Sequence, residues 1–390
     1  MWRRRLAQLI VVLIALAIVA LVAFATLRPF RIGALTLALV PELLGAGPQA
    51  LSALTPTPTR ISLTYGGARS DRLDLYLPEP PGSAAEPRPA VILVLGVHQV
   101  ALDHPAVVRT AMALARIGLI VAVPADTELA AGRIGPGAPA HLVEAFQAVA
   151  ARPEIDPERV GLAGFSAGGS LALIAAADPA IAERVAYVNA FGAYADAATL
   201  LAEIGSRSVV IDGAARAWQP GELSRRASLE LILGAISDET MRRLLRDELA
   251  PVVTEGGPPP TFDPAFAARL DGDALVAYRL LTATSRSAAD AALADLSAPA
   301  QAVLAALSPV TVAADIRAPV FLMHDVGDDA IPFADFEPLA AVIPAASLRR
   351  ATAFEIFDHV QPDAGGIGLE QVPDLWNLFV HLRDVLDLAL

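Results

Sequence analysis

Arg159–Leu173 reads RVGLAGFSAGGSLAL. Val160–Ala163 has the short apolar pattern of a strand, and Ser170–Ala177 reads as a helix of small residues. Between them, Gly164-Phe165-Ser166-Ala167-Gly168 fits the pattern G-x-S-x-G. That spacing has a steric reason. When a strand turns at once into a helix, the residues two before and two after the serine crowd each other, so both must be tiny, and the serine itself takes a strained backbone. Gly164 and Gly168 meet the requirement, and Gly169 adds a third small residue. The stretch therefore predicts a sharp strand–turn–helix that lifts Ser166 to the helix N-terminus as a candidate nucleophile. The Ala167 N–H would be free there to stabilise an oxyanion.

Working outward, strand-like and helix-like stretches alternate. Arg60–Tyr65 and Arg72–Leu77 predict two strands joined through Gly66-Gly67. Ala90–Leu95 (AVILVL) and Leu119–Val123 (LIVAV) are continuous apolar runs, as expected for strands buried on both faces. Val185–Val188, Pro319–His324 and Ala353–Phe357 are further strand candidates. Ala106–Ile117, His141–Ala151 and a final helix over about Val372–Leu388 fall between or after them. Such alternation predicts an α/β fold with a mainly parallel sheet and helices on both faces. Residues 196–307 break the rhythm with Ala, Leu, Arg and acidic residues at helical spacing, as in Thr240–Leu249 (TMRRLLRDEL). They predict a helical cap insertion between a first core part over 60–195 and a second over 308–390.

The segment Asp156–Pro179, DPERVGLAGFSAGGSLALIAAADP, resembles the nucleophile region of the α/β-hydrolase superfamily, in the style of its dienelactone-hydrolase-like and acetyl-esterase-like serine hydrolases. The resemblance covers most of 60–195 and 308–390. It implies a triad in the chain order serine, acid, histidine. After Pro319–His324 comes Asp325-Val326-Gly327-Asp328-Asp329-Ala330-Ile331-Pro332. Relatives commonly carry His-Gly-x-x-Asp-x-x-Val-Pro-like text here, and alignment on His324 and Pro332 puts the acid at Asp328. Asp329 is its rival and Asp325 a more distant one. The base falls on His359 in Phe357-Asp358-His359-Val360, after one further strand. His98 and His104 precede the serine, His141 opens a helix, His324 ends a strand, and His381 reads as a surface or packing residue of the last helix. The second oxyanion donor would be the Val97 N–H in Leu95-Gly96-Val97-His98, where relatives often read His-Gly-x.

Composition removes other chemistries. The chain has no Cys, which excludes thiol nucleophiles, thiolate metal sites and disulfides. It also has no Lys, so all 29 basic residues are Arg, and Schiff-base lysines, P-loop lysines and Ser–Lys dyads are excluded. A formal net charge of −13 gives no general attraction for nucleic acid. No metal cluster or dinucleotide fingerprint stands out, and Gly132–Gly137 (GRIGPG) lacks the required spacing and context. No cofactor is expected. The expected partners are a small-molecule or lipid-like ester and a membrane, with the oligomeric state left open.

The membrane enters through residues 1–31. Arg3, Arg4 and Arg5 precede a nearly unbroken apolar run from about Leu6 to Leu27, long enough to span a bilayer. It predicts a transmembrane anchor with the arginines cytoplasmic and the rest of the chain extracytoplasmic. Ala23-Phe24-Ala25 also has the form of a signal cleavage site, so secretion after cleavage is the alternative. Residues 32–59 read as a membrane-proximal segment and linker, with an apolar Gly33–Val40 ahead of Pro41. Taken together, the expectation is a membrane-anchored serine hydrolase of esters. A serine peptidase of the same fold and a catalytically inactive binding protein are the competing readings.

Overall fold

The computed structural model describes residues 5, 6, 8, 24, 26–79, 86–96, 102–130, 133–254, 260–362 and 368–390. Eight strands form the central sheet: β1 (Thr59–Tyr65), β2 (Asp71–Leu77), β3 (Arg88–Val94), β4 (Ile120–Ala125), β5 (Ile155–Phe165), β6 (Val185–Phe191), β9 (Val320–Asp325) and β10 (Leu348–Phe354). Two more, β7 (Ser208–Ile211) and β8 (Ala214–Ala217), make a separate hairpin. The sheet order is β1-β2-β4-β3-β5-β6-β9-β10. From β4 to β10 every neighbouring pair is parallel, while β2 runs antiparallel to both β1 and β4.

The apolar runs sort by parity, as the two-residue period of a strand requires. Ala90, Ile92 and Val94 of β3 join one core cluster with the helices Ala138–Ala150 and Ala167–Ala177, while Val91 and Leu93 join a second with the helices Pro105–Arg116 and Val372–Ala389. β3 is thus buried on both faces, which is why its sequence shows no polar alternation. β3 is also where the strand order reverses, with β4 on one side and β5 on the other. A crevice opens beyond the carboxyl ends of strands at such a switch point. Gly96 follows β3 there and Ser166 follows β5.

Between β6 and β9 the chain is helical, with Ala197–Ser206, Glu222–Ala235, Glu239–Thr254, Gly272–Leu281, Arg286–Ala294 and Ala298–Ala306 as its longer helices. The β7–β8 hairpin was not anticipated from sequence. Its signal is Asp212-Gly213, both at positive φ (52° and 74°), between SVVI and AARA. A two-residue turn of that type matches the natural twist of paired strands.

Two other expectations change. The last strand runs over Leu348–Phe354 and not Ala353–Phe357, because LRRATAF alternates exposed and shielded positions at the edge of the sheet. Residues 32–59 are not plain linker. Arg28–Leu44 is one helix with Ile32, Thr36 and Leu39 buried, and Ala50–Leu54 is a short second one. Pro41 lies in the last turn, and Gly45 at φ 66° closes the helix with its N–H on the Glu42 carbonyl. Among the described residues no helix is long and apolar enough to cross a membrane. The apolar run expected to do so lies almost wholly outside them.

Candidate active site

Ser166 stands between β5 and the helix Ala167–Ala177 with φ 57° and ψ −135°, a conformation that non-glycine residues avoid. The surroundings hold it there. Its N–H donates to the Phe191 carbonyl at 2.8 Å, and its own carbonyl accepts from the Gly169 N–H at 2.8 Å. The glycines are needed for contact. A Cβ on Gly164 would collide with the backbone of Gly168 and Gly169, and one on Gly168 with the carbonyls of Val94 and Leu95. Across the crevice, a Cβ on Gly96 would come within 2.8 Å of the Ser166 Cβ. The Ala167 N–H lies in the first turn of its helix, where no intrahelical acceptor exists.

The acidic loop after β9 and the loop after β10 meet beside it. His359 Nδ1 is 2.7 Å from Asp328 Oδ2, and both residues are buried. The other Asp328 oxygen, Oδ1, accepts the N–H groups of Ala330 (2.8 Å) and Ile331 (2.9 Å). A carboxylate held on three sides leaves His359 Nδ1 to be the protonated nitrogen. His359 Nε2 is buried and has no hydrogen-bond partner. His359 has φ 57°, so its backbone, like that of Ser166, is over-determined by its neighbours. Ser166 and His359 line one cavity of about 380 Å³, together with Leu95, Gly96, His104, Val107, Glu222 and others. No hydrogen bond joins the serine hydroxyl to Nε2. Such bonds are often loose before substrate binds.

Of the two rivals to Asp328, Asp329 is exposed and lines the same cavity near Gly221. Asp325 is buried beneath the loop. Val97 lies outside the described residues. Among those described, no group of His, Asp and Glu is arranged to hold a metal ion.

With this geometry in place, the family model Esterase PHB depolymerase matches residues 72–216, which run from within β2 into β8 and include Ser166. The match supports a serine hydrolase on an α/β-hydrolase-like fold. No curated protein matches it. Solved structures similar to it include an acylaminoacyl peptidase in complex with Z-Gly-Gly-Phe-chloromethyl ketone (12% identity, TM-score 0.46), covering 80% of this chain and 39% of that one. Puromycin hydrolase is similar at 16% identity and a TM-score of 0.49, covering 85% of this chain and 39% of its own. Porphyromonas gingivalis dipeptidyl peptidase 4 is similar at 12% identity and 0.47, covering 84% and 35%. The chain thus spans well under half the length of these three.

Five residues support the loops: Asp325, His324, Trp218, Gly221 and Ser224. Asp325 accepts the Gly327 N–H on Oδ1 (2.8 Å) and the Phe357 N–H on Oδ2 (2.9 Å), tying the Asp328 loop to the segment that carries His359. Burial pushes its carboxyl up, against those two N–H groups. His324 sits under the pair, its Nε2 2.9 Å from the Ile331 carbonyl and 3.4 Å from Asp328 Oδ2, and burial holds its pKa below the ordinary value. From the insertion, Trp218 Nε1 donates to the Asp328 carbonyl (3.3 Å), the Gly221 N–H to that of Asp329 (2.7 Å), and Ser224 Oγ to that of Ala330 (2.6 Å). The available signal for Asp325 was the replacement of a usual glycine by a carboxylate. The contacts of Trp218, Gly221 and Ser224 depend on tertiary placement and had none.

Proposed function

We propose that the hydrolase cleaves esters through a Ser166–His359–Asp328 triad while anchored to a membrane by its N-terminal apolar run. The observation that carries the catalytic part is the Asp328–His359 pair at 2.7 Å with Nε2 left unpartnered in the cavity that Ser166 lines. His359 Nε2 takes the proton of Ser166 as Oγ adds to the ester carbonyl carbon. The tetrahedral oxyanion is stabilised by the Ala167 N–H and, in this reading, by that of Val97. Collapse breaks the bond to the alcohol oxygen, which leaves with the proton from His359. Water then adds to the acyl-enzyme, its proton passing through His359 back to Ser166 as the acid departs. Asp328 keeps the Nδ1–H tautomer and stabilises the imidazolium. The match of residues 72–216 to an esterase family supports esters over amides.

The anchoring part rests on the Arg3–Arg5 cluster ahead of the Leu6–Leu27 run and places the catalytic domain outside the cytoplasm. Fluorophosphonate labelling of the full chain tests the first part: wild type should be labelled and Ser166→Ala should not. Membrane fractionation with protease treatment of spheroplasts tests the second. External protease should reach the domain, whereas protection until lysis would reverse the orientation, and a soluble product beginning near Thr26 would show cleavage.

A further inference from the structure

We infer that the hydrolase is built for short acyl groups on larger alcohols, with the limit on acyl length set by one face of the helix Glu222–Ala235. This rests on the triad reading above. Two cavities meet at Ser166. The larger, about 380 Å³, is lined by His359. The smaller, about 30 Å³, is lined by Ser166 and Ala167 but not by His359. The chemistry assigns their contents. The departing alkoxide must receive its proton from His359 Nε2, so the alcohol lies on the His359 side, in the larger cavity. The acyl substituent projects from the same carbonyl carbon in the other direction, past the Ala167 N–H, into the smaller one.

The smaller cavity has room for about two water-sized groups, since one such group needs roughly 10–15 Å³ by this measure. Acetyl and propionyl fit, and longer chains meet its walls. Leu223, Ala227 and Leu231 line it at a spacing of four, the stripe that one helix face presents. Tyr194 closes another side, and its hydroxyl is spent on the Leu307 carbonyl at 2.9 Å. Leu231, 1% exposed, is also packed in the main core, so this wall does not yield easily. Leu231 is therefore a barrier to long acyl chains, while Ile232 and Leu233 next to it are buried in the core.

The test is kcat/KM of the full chain on aryl esters from acetyl to octanoyl, alongside fluorophosphonate labelling. Wild type should lose at least about tenfold in kcat/KM from propionyl to hexanoyl, the scale on which a fitted apolar pocket discriminates. Leu223→Ala, on the less buried end of the stripe, should move the optimum to longer acyl groups and keep labelling. Ala227→Val should depress propionyl more than acetyl. The two variants act in opposite directions, so a fault in folding, read by melting temperature and labelling, cannot imitate both. A labelled wild type with equal kcat/KM for acetyl and octanoyl would overturn the short-acyl assignment and leave the triad standing. An unlabelled wild type, or a Ser166→Ala variant as active as wild type, would remove the triad reading itself.

Discussion

Among the described residues, two histidine–aspartate hydrogen bonds have nearly equal length, and one of them has a candidate nucleophile beside it. His359 Nδ1 lies 2.7 Å from Asp328 Oδ2, and His141 Nδ1 lies 2.9 Å from Asp126 Oδ2. Both carboxylates also accept two backbone N–H groups, Asp126 from Glu128 (2.7 Å) and Leu129 (3.1 Å). The difference lies beyond the pair. His141 opens a regular helix and stays part-exposed beside a cavity of about 80 Å³ that holds no serine or threonine. His359 sits at positive φ, buried, with Nε2 free in a cavity it shares with the strained Ser166. A histidine–aspartate contact is therefore weak evidence of catalysis. What distinguishes a site is an unpartnered second nitrogen and a nucleophile held where that nitrogen can reach.

Substitutions can break that comparison, beginning with the largest effects. Ser166→Ala should abolish covalent labelling and ester turnover, and His359→Ala should lower kcat by about 10⁴ to 10⁶. Equal turnover before and after either change would erase the distinction between the two pairs. Asp328→Asn should cost roughly 10⁴ in kcat by disfavouring the Nδ1–H tautomer, with the melting temperature within a few degrees of wild type. The same change at exposed Asp329 should leave kcat nearly intact, and the reverse ranking would move the acid by one position.

Asp325→Ala should act more mildly and in a different way. It removes the acceptor of the Gly327 and Phe357 N–H groups, which should lower stability by about 1–3 kcal/mol in a denaturant titration. It should also lower kcat by up to about 10²-fold, the cost of a small misplacement of catalytic groups. A loss of stability with unchanged kcat would show that the bridge between the two loops does not set the position of His359. His141→Ala should do least: about 1 kcal/mol of stability for one lost hydrogen bond, and kcat as in wild type. A His141→Ala variant as impaired as His359→Ala would make the two pairs equivalent.

Much of this architecture was legible because steric and periodic demands are written locally. Gly164 and Gly168 announce their turn, and the AVILVL and LIVAV runs announce strands with two covered faces. Chain order then carried the search for partners to Asp328 and His359, which lie together in the structure, although nothing local distinguished Asp328 from Asp329. That distinction is tertiary: one carboxylate is buried against His359 and two backbone N–H groups, the other faces solvent. His381 shows the same limit. On a helix wheel it could be a surface residue, yet it is fully buried, bonded to Asn189 Oδ1 (2.9 Å) and Thr352 Oγ1 (2.8 Å), and burial presses its pKa down to about 3. The Asp212-Gly213 turn signal is only two residues long and is masked by the helical composition around it.

The helix Arg28–Leu44 acts as a spacer of fixed length. At its start Arg28 pairs with Asp387 near the end of the chain. At its finish Val40 and Leu44 pack on the cluster of Phe354 and Leu378, on which Phe357 and Val360, the close neighbours of His359, also rest. Seventeen helical residues measure about 25 Å. Arg28 is thus held at arm's length from the far end of the helix by a rigid strut, at a distance set by helix geometry instead of by a slack tether.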